Sequence, residues 1–108
     1  MARYLAQFSY TSEAMSHLIS NPQDRGAVTG DLFERLGGKV ETYDFCFGDY
    51  HLVSIVEFPD NESAEALMMA IYASGAAKEI KVTVLLPMEE AVRAMTRANA
   101  AGYNPPKG

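Results

Sequence analysis

Between Tyr50 and Phe58 the chain runs Tyr-His-Leu-Val-Ser-Ile-Val-Glu-Phe, with almost no polar alternation, and each end of the run is marked by a chain-breaking pair. Gly48-Asp49 breaks one apolar run and starts another, which is a hairpin signal; Pro59-Asp60 stops a strand and can start a helix. A run of this kind reads as a central strand covered on both faces, and it fixes the middle of a sheet. Every other element has to be placed around it.

Upstream, Arg3 to Tyr10 alternates, with Tyr4, Ala6, Phe8 and Tyr10 on one face, and reads as a first strand. Thr11 offers an N-cap hydroxyl to a helix whose residues Ala14, Met15, Leu18 and Ile19 form one stripe facing the sheet. Asn21-Pro22 interrupts that helix, and Asp24 caps a continuation carrying Val28, Leu32, Phe33 and Leu36. Gly37-Gly38 supplies left-handed positions that end it. Lys39 to Phe47 reads as a second strand, with Val40, Thr42, Asp44 and Cys46 opposite Glu41, Tyr43, Phe45 and Phe47.

Downstream of the central strand, Asp60 caps a helix with Ala64, Leu67, Met68, Ile71 and Tyr72 at helical spacing, closed by Ser74-Gly75. Lys78 to Leu86 is a more polar strand that belongs near an edge. Met88 to Ala101, opened by Pro87, is a last helix with a weak apolar side. Two β-α-β crossovers around a central hairpin give an α+β, ferredoxin-like βαββαβ sandwich with an extra C-terminal helix. A single domain over residues 1–102 and a flexible tail over 103–108 are expected. Whichever parity of the central strand meets the helices, large apolar groups remain on its other face: Leu52 and Val56 lie on one side, Val53 and Ile55 on the other. An open face of that kind favours sheet-to-sheet association, a homodimer or a higher homo-oligomer of the dimeric α+β barrel type.

The run Phe47-Gly48-Asp49-Tyr50, followed by Leu52 to Asp60, resembles the signature of the GYD-domain family, small bacterial and archaeal proteins. Asn21-Pro22 with Arg25, Leu36-Gly37-Gly38-Lys39-Val40 and Ser74-Gly75 match that pattern in order, so the resemblance covers roughly Tyr4 to Glu90. His51 stands where the family usually carries Asp, and the helix after Met88 is longer than a typical member's end. The resemblance implies a subunit similar to the dimeric α+β barrel proteins, which include cofactor-free monooxygenases and isomerases. It implies no particular reaction or catalytic residue.

Composition excludes several classes. A formal charge of -5 and a pI near 4.9 oppose binding to nucleic acid or to an anionic membrane, both of which need a surplus of Lys and Arg. The single cysteine, Cys46, has no intramolecular disulfide partner and reads as a small buried thiol. With a start, Met1-Ala2-Arg3-Tyr4, that lacks the pattern of a secretory leader, a cytoplasmic setting is expected. Two histidines, one cysteine and scattered carboxylates show no metal-ligand spacing, and no glycine-rich phosphate loop is present, so neither metal nor cofactor is expected.

His51, beside Asp49 at the Gly48-Asp49-Tyr50 turn, is the candidate catalytic residue, a base near neutral pH whose ring Asp49 could orient; the plainer reading is a half-exposed residue at a strand entrance. His17 lies off the apolar stripe of its helix and reads as a surface residue. Tyr4, Tyr43 and Tyr50 are candidate ligand-binding residues, able with His51 to line a pocket between sheet and helices for a small apolar or aromatic molecule. The same aromatic groups also suit plain core or interface packing. Two functions follow: a homo-oligomeric small-molecule binding protein or cofactor-independent enzyme, and a structural or regulatory homo-oligomer without a pocket.

Overall fold

A computed structural model describes residues Met1 to Lys107. Its elements run β1 (Ala2–Tyr10), α1 (Ser12–Ser20), α2 (Arg25–Arg35), β2 (Lys39–Phe45), β3 (Leu52–Phe58), α3 (Asn61–Ala73), β4 (Ala77–Leu85) and α4 (Met88–Ala101). The four strands form one antiparallel sheet in the order β2-β3-β1-β4, the ferredoxin-like arrangement, with the expected central strand β3 inside and β4 at an edge.

The helix boundaries follow from local chemistry. The Thr11 hydroxyl accepts from the Ala14 N–H at 3.2 Å, the Asp24 carboxylate from Gly26 at 2.8 Å and the Asp60 carboxylate from Ser63 at 2.8 Å. The bonds from Ser63 hold the Asp60 carboxyl below its ordinary value. Asn21-Pro22 breaks the first helical segment into α1 and α2. Of the glycine pair that ends α2, only Gly37 is left-handed, at φ +82°. Gly38 is required for another reason: a Cβ there would lie 2.6 Å from the Phe58 ring.

The core lies on one face of the sheet. Tyr4, Ala6 and Phe8 of β1 and Leu52, Val56 and Phe58 of β3 are buried beneath Phe33 of α2 and Ala64 and Leu67 of α3. Buried Ser54 sits among them, its hydroxyl donating to the Thr42 carbonyl at 2.7 Å. α1 buries no residue fully, and Ile19, expected on its sheet-facing stripe, is turned to solvent.

Simple alternation fails in β2. The register shifts between Val40 and Thr42, so Val40 pairs with Val56, Tyr43 with Ser54 and Phe45 with Leu52. Directly paired residues share a face. Val40 therefore lies with Tyr43 and Phe45 on the helix side, not opposite them as unbroken alternation predicts, because the extra residue Glu41 forms a bulge.

Among the described residues no helix covers the other face of the sheet. Leu5, Val53, Ile55 and Leu85 are only half-buried there, bordered by the ion pair of Arg3 with Glu41 at 2.7 Å. α4 has the apolar side expected of it, but none of its residues is buried, and Met88, Val92 and Met95 are exposed. The radius of gyration is 17.6 Å, against about 13 Å for a compact chain of this length. A helix standing off the body accounts for the difference.

Candidate functional site

On the helix side, α2 and α3 do not close completely over the sheet. They leave an apolar cavity of about 210 Å³. Phe8 and Tyr10 of β1, Tyr43 of β2 and Leu52 of β3 form its floor, and Ala70, Ile71 and Ser74 at the end of α3 form one wall. The roof is a stripe of α2: Arg25, Val28, Thr29, Leu32 and Arg35, spaced i, i+3, i+4, i+7 and i+10. Leu32 packs against the core, while the two arginines occupy the ends of the stripe. A wider cleft of about 530 Å³, reaching towards α1 past Met15 and Leu18, shares Arg25, Tyr43 and Leu52 with the cavity.

Polar groups in this apolar enclosure behave accordingly. Burial pushes the Tyr10 phenol above its ordinary value, and the neighbouring Arg25 guanidinium pulls the other way. Burial likewise raises the Tyr43 phenol; a hydrogen bond from Thr29 and the Arg25 charge oppose the rise, while Tyr10 and Asp24 add to it. Both phenols are protonated at neutral pH and are available as donors. Arg25 donates from Nη1 to the Gln23 side-chain oxygen at 3.1 Å.

The four candidate residues do not share one pocket. Tyr43 lines the cavity. Tyr4 lies in the core at 2% exposure, donating its hydroxyl to Asn61 Oδ1 at 2.6 Å and meeting Phe58 edge-on at 6.0 Å. Tyr50 and His51 sit with Gly48 and Asp49 at an open cleft beside the hairpin loop. Gly48, at φ +114°, makes that turn possible, and the loop is closed by the Cys46 N–H on the His51 carbonyl at 2.6 Å.

His51 has a defined place in the sheet end. Its Nδ1 accepts the Tyr10 backbone N–H at 2.9 Å, so in this state Nδ1 carries no proton and any ring proton sits on Nε2. The ring forms a three-membered aromatic cluster with Tyr10, 6.0 Å away, and Phe45, 6.2 Å away, which are themselves 6.5 Å apart. Nδ1 is thus engaged by β1 rather than by the Asp49 carboxylate; what Asp49 contributes is its backbone carbonyl, which accepts from the Ser9 hydroxyl at 2.7 Å. Tyr10 stands between the cavity and the cleft, lining both.

Thr29, Arg25 and Arg35 are absent from the sequence-based candidates, and Tyr10 figures there only among the strand aromatics. The signal was nonetheless present: on the inward stripe of α2, helical spacing places an arginine before and after the apolar residues. Among the described residues no three His, Cys, Asp or Glu side chains converge as metal ligands, and no helix is long and apolar enough to cross a membrane.

The sequence matches the GYD domain over residues 4–95. The chain belongs to the GYD domain family. No protein of curated function matches it. Among solved structures, that of MtbAldR aligns with this GYD-domain chain at a TM-score of 0.56 and 15% identity, over 80% of this chain and 52% of that one. The GYD-domain chain thus spans about half the length of MtbAldR, and the two share a fold. FFRP-DM1 aligns at 0.49 and 13% identity, over 80% of this chain and 100% of its own. A structure described as an antibiotic biosynthesis monooxygenase aligns at 0.46 and 17% identity, over 81% and 98%.

Proposed function

We propose that this GYD-domain protein is a homo-oligomeric small-molecule binding protein whose ligand occupies the cavity between α2, α3 and the sheet. The observation that carries the reading is the cavity itself: an apolar enclosure with a few polar groups along its lining. Its volume of about 210 Å³ is below the roughly 300–1,000 Å³ of sites for drug-sized ligands. A small apolar or aromatic molecule suits it. Binding is favoured over turnover because the titratable groups of the lining, the phenols of Tyr10 and Tyr43 and the guanidinium groups of Arg25 and Arg35, include no base for neutral pH.

The homo-oligomer rests on the open sheet face. Leu5, Val53, Ile55 and Leu85 form an apolar strip that a second sheet, packed about 10 Å away, would cover in the manner of a dimeric α+β barrel. A reduced, cytoplasmic setting is consistent with the free Cys46. Native mass spectrometry of gently purified protein tests both parts: a dimer or multiple of dimers with added small-molecule mass is expected, and a monomer would overturn the oligomer.

A second reading, a structural or regulatory oligomer with no ligand, is favoured by Phe47, 97% exposed at the hairpin tip, and by the unburied apolar side of α4. An oligomer that carries no added mass and binds no probe molecule would select it.

A further inference from the structure

The lining of the cavity is unbalanced in charge. Two of the nine Lys and Arg residues of a chain of net charge -5 border one small apolar space, and no carboxylate lines it. Among the described residues the Arg3–Glu41 pair is the salt bridge present, so neither Arg25 nor Arg35 has a carboxylate within ion-pairing distance. The nearest acid in sequence, Asp24, is occupied as the N-cap of α2 and borders the adjoining cleft instead. Arg25 is half-buried; Gln23 engages one of its nitrogens and the neutral Tyr10 phenol lies beside it, so its polar neighbours carry no compensating charge. A partly desolvated guanidinium without a counter-ion costs stability that an anion entering the cavity would return.

We propose that the cavity selects small organic acids: an apolar body lies between Val28, Leu32, Ile71 and Phe8, and its carboxylate is held by Arg25. This rests on reading the cavity as a ligand site and adds the class of ligand. Arg25 can present two parallel N–H groups to a carboxylate, and the protonated phenols of Tyr10 and Tyr43 beside it supply further donors. A neutral ligand of the same shape would leave Arg25 unpaired. Arg35, exposed and ten residues along the same helix, is about 15 Å away. It adds positive field at the far end rather than a second grip on the same carboxylate.

The test compares 3-phenylpropionate with 3-phenyl-1-propanol, which keeps the body and removes the charge. Affinities are measured by NMR titration of the full chain, following the Tyr10 and Tyr43 ring signals, at low and high NaCl. The acid is expected to bind at least tenfold tighter than the alcohol, with a preference that shrinks as salt rises. Arg25→Met should abolish the preference of acid over alcohol; Arg25→Lys should keep part of it, and Arg35→Met most of it. Circular dichroism checks that each variant is folded, and the salt dependence of the parent protein decides the matter if Arg25→Met is not. Equal binding of acid and alcohol by the parent would overturn the charge selection and leave the cavity reading standing. Binding of neither would overturn both. An acid preference that survives Arg25→Met would remove Arg25 as the anchor.

Discussion

Replacing Gly38 by alanine tests whether the joint between α2 and β2 is set by packing or by backbone conformation. The new Cβ would lie 2.6 Å and 2.9 Å from two carbons of the Phe58 ring and 3.0 Å from the Phe33 carbonyl oxygen, where ordinary contact begins at 3.4 Å. Neither neighbour gives way easily. Phe58 is 1% exposed and held between Tyr4 and Phe33, with ring centroids 6.0 and 6.2 Å away. The Phe33 carbonyl already accepts the Gly38 N–H at 2.8 Å. Overpacking of this kind costs about 1–3 kcal/mol, and the lower chain entropy of alanine in the unfolded state returns up to about 1 kcal/mol. A net loss of about 2 kcal/mol, or roughly 10 °C in Tm, is expected. Gly37→Ala, at φ +82° but with only the Pro59 ring nearby, should lose about 1 kcal/mol. Urea unfolding followed by tyrosine fluorescence, the chain having no tryptophan, measures both at one fixed protein concentration. A Gly38→Ala loss below about 0.5 kcal/mol, or a larger loss for Gly37→Ala, would refute the packing argument. Because Phe33 also meets the Tyr43 ring edge-on at 6.1 Å, Gly38→Ala should weaken ligand binding as well.

His51→Ala removes the acceptor of the Tyr10 N–H and one ring of the Tyr10–Phe45–His51 cluster, and should cost about 1–2 kcal/mol in urea unfolding; an unchanged midpoint would argue against its structural place. Tyr10 and Tyr43 have folded values raised above the ordinary 10.0, so the stability they contribute is complete below that value and is lost as pH rises through the folded values. In an absorbance titration at alkaline pH Tyr10 and Tyr43 should ionise above the ordinary value, and Tyr10→Phe with Tyr43→Phe should remove their contribution to the late phase. Ile55→Arg places a charge on the open sheet face and should convert the oligomer to folded monomer in light scattering; an unchanged mass would place the interface elsewhere.

Local features of the fold could be read directly. Thr11, Asp24 and Asp60 cap the helices they were expected to cap, Asn21-Pro22 separates α1 from α2, and α4 occupies the expected residues, because each signal acts over a few neighbours. Features that depend on distant partners were hidden. Counting by twos along β2 misplaces Val40 relative to Tyr43, since the bulge at Glu41 is defined only by pairing with β3. Gly38 reads as one half of a left-handed pair, whereas its role is set by a ring twenty residues away. Tyr4, Tyr43, Tyr50 and His51 look alike as strand aromatics, yet sheet registration and depth send them to the core, the cavity and the hairpin cleft. Arg25 and Arg35 carry a visible periodicity, but a charged residue on an inward stripe is easily assigned to solvent until the roof of a cavity is seen.

The position of α4 also ties secondary structure to concentration. A helix of fourteen residues is near the ~12–15-residue limit at which an isolated helix is marginal in water, and α4 has no buried contact with its own subunit to support it. In the homo-oligomer proposed above, a neighbouring copy would supply that support. Dilution that separates the copies would melt α4 alone, and the helical signal would fall while the sheet and its cavity stayed intact.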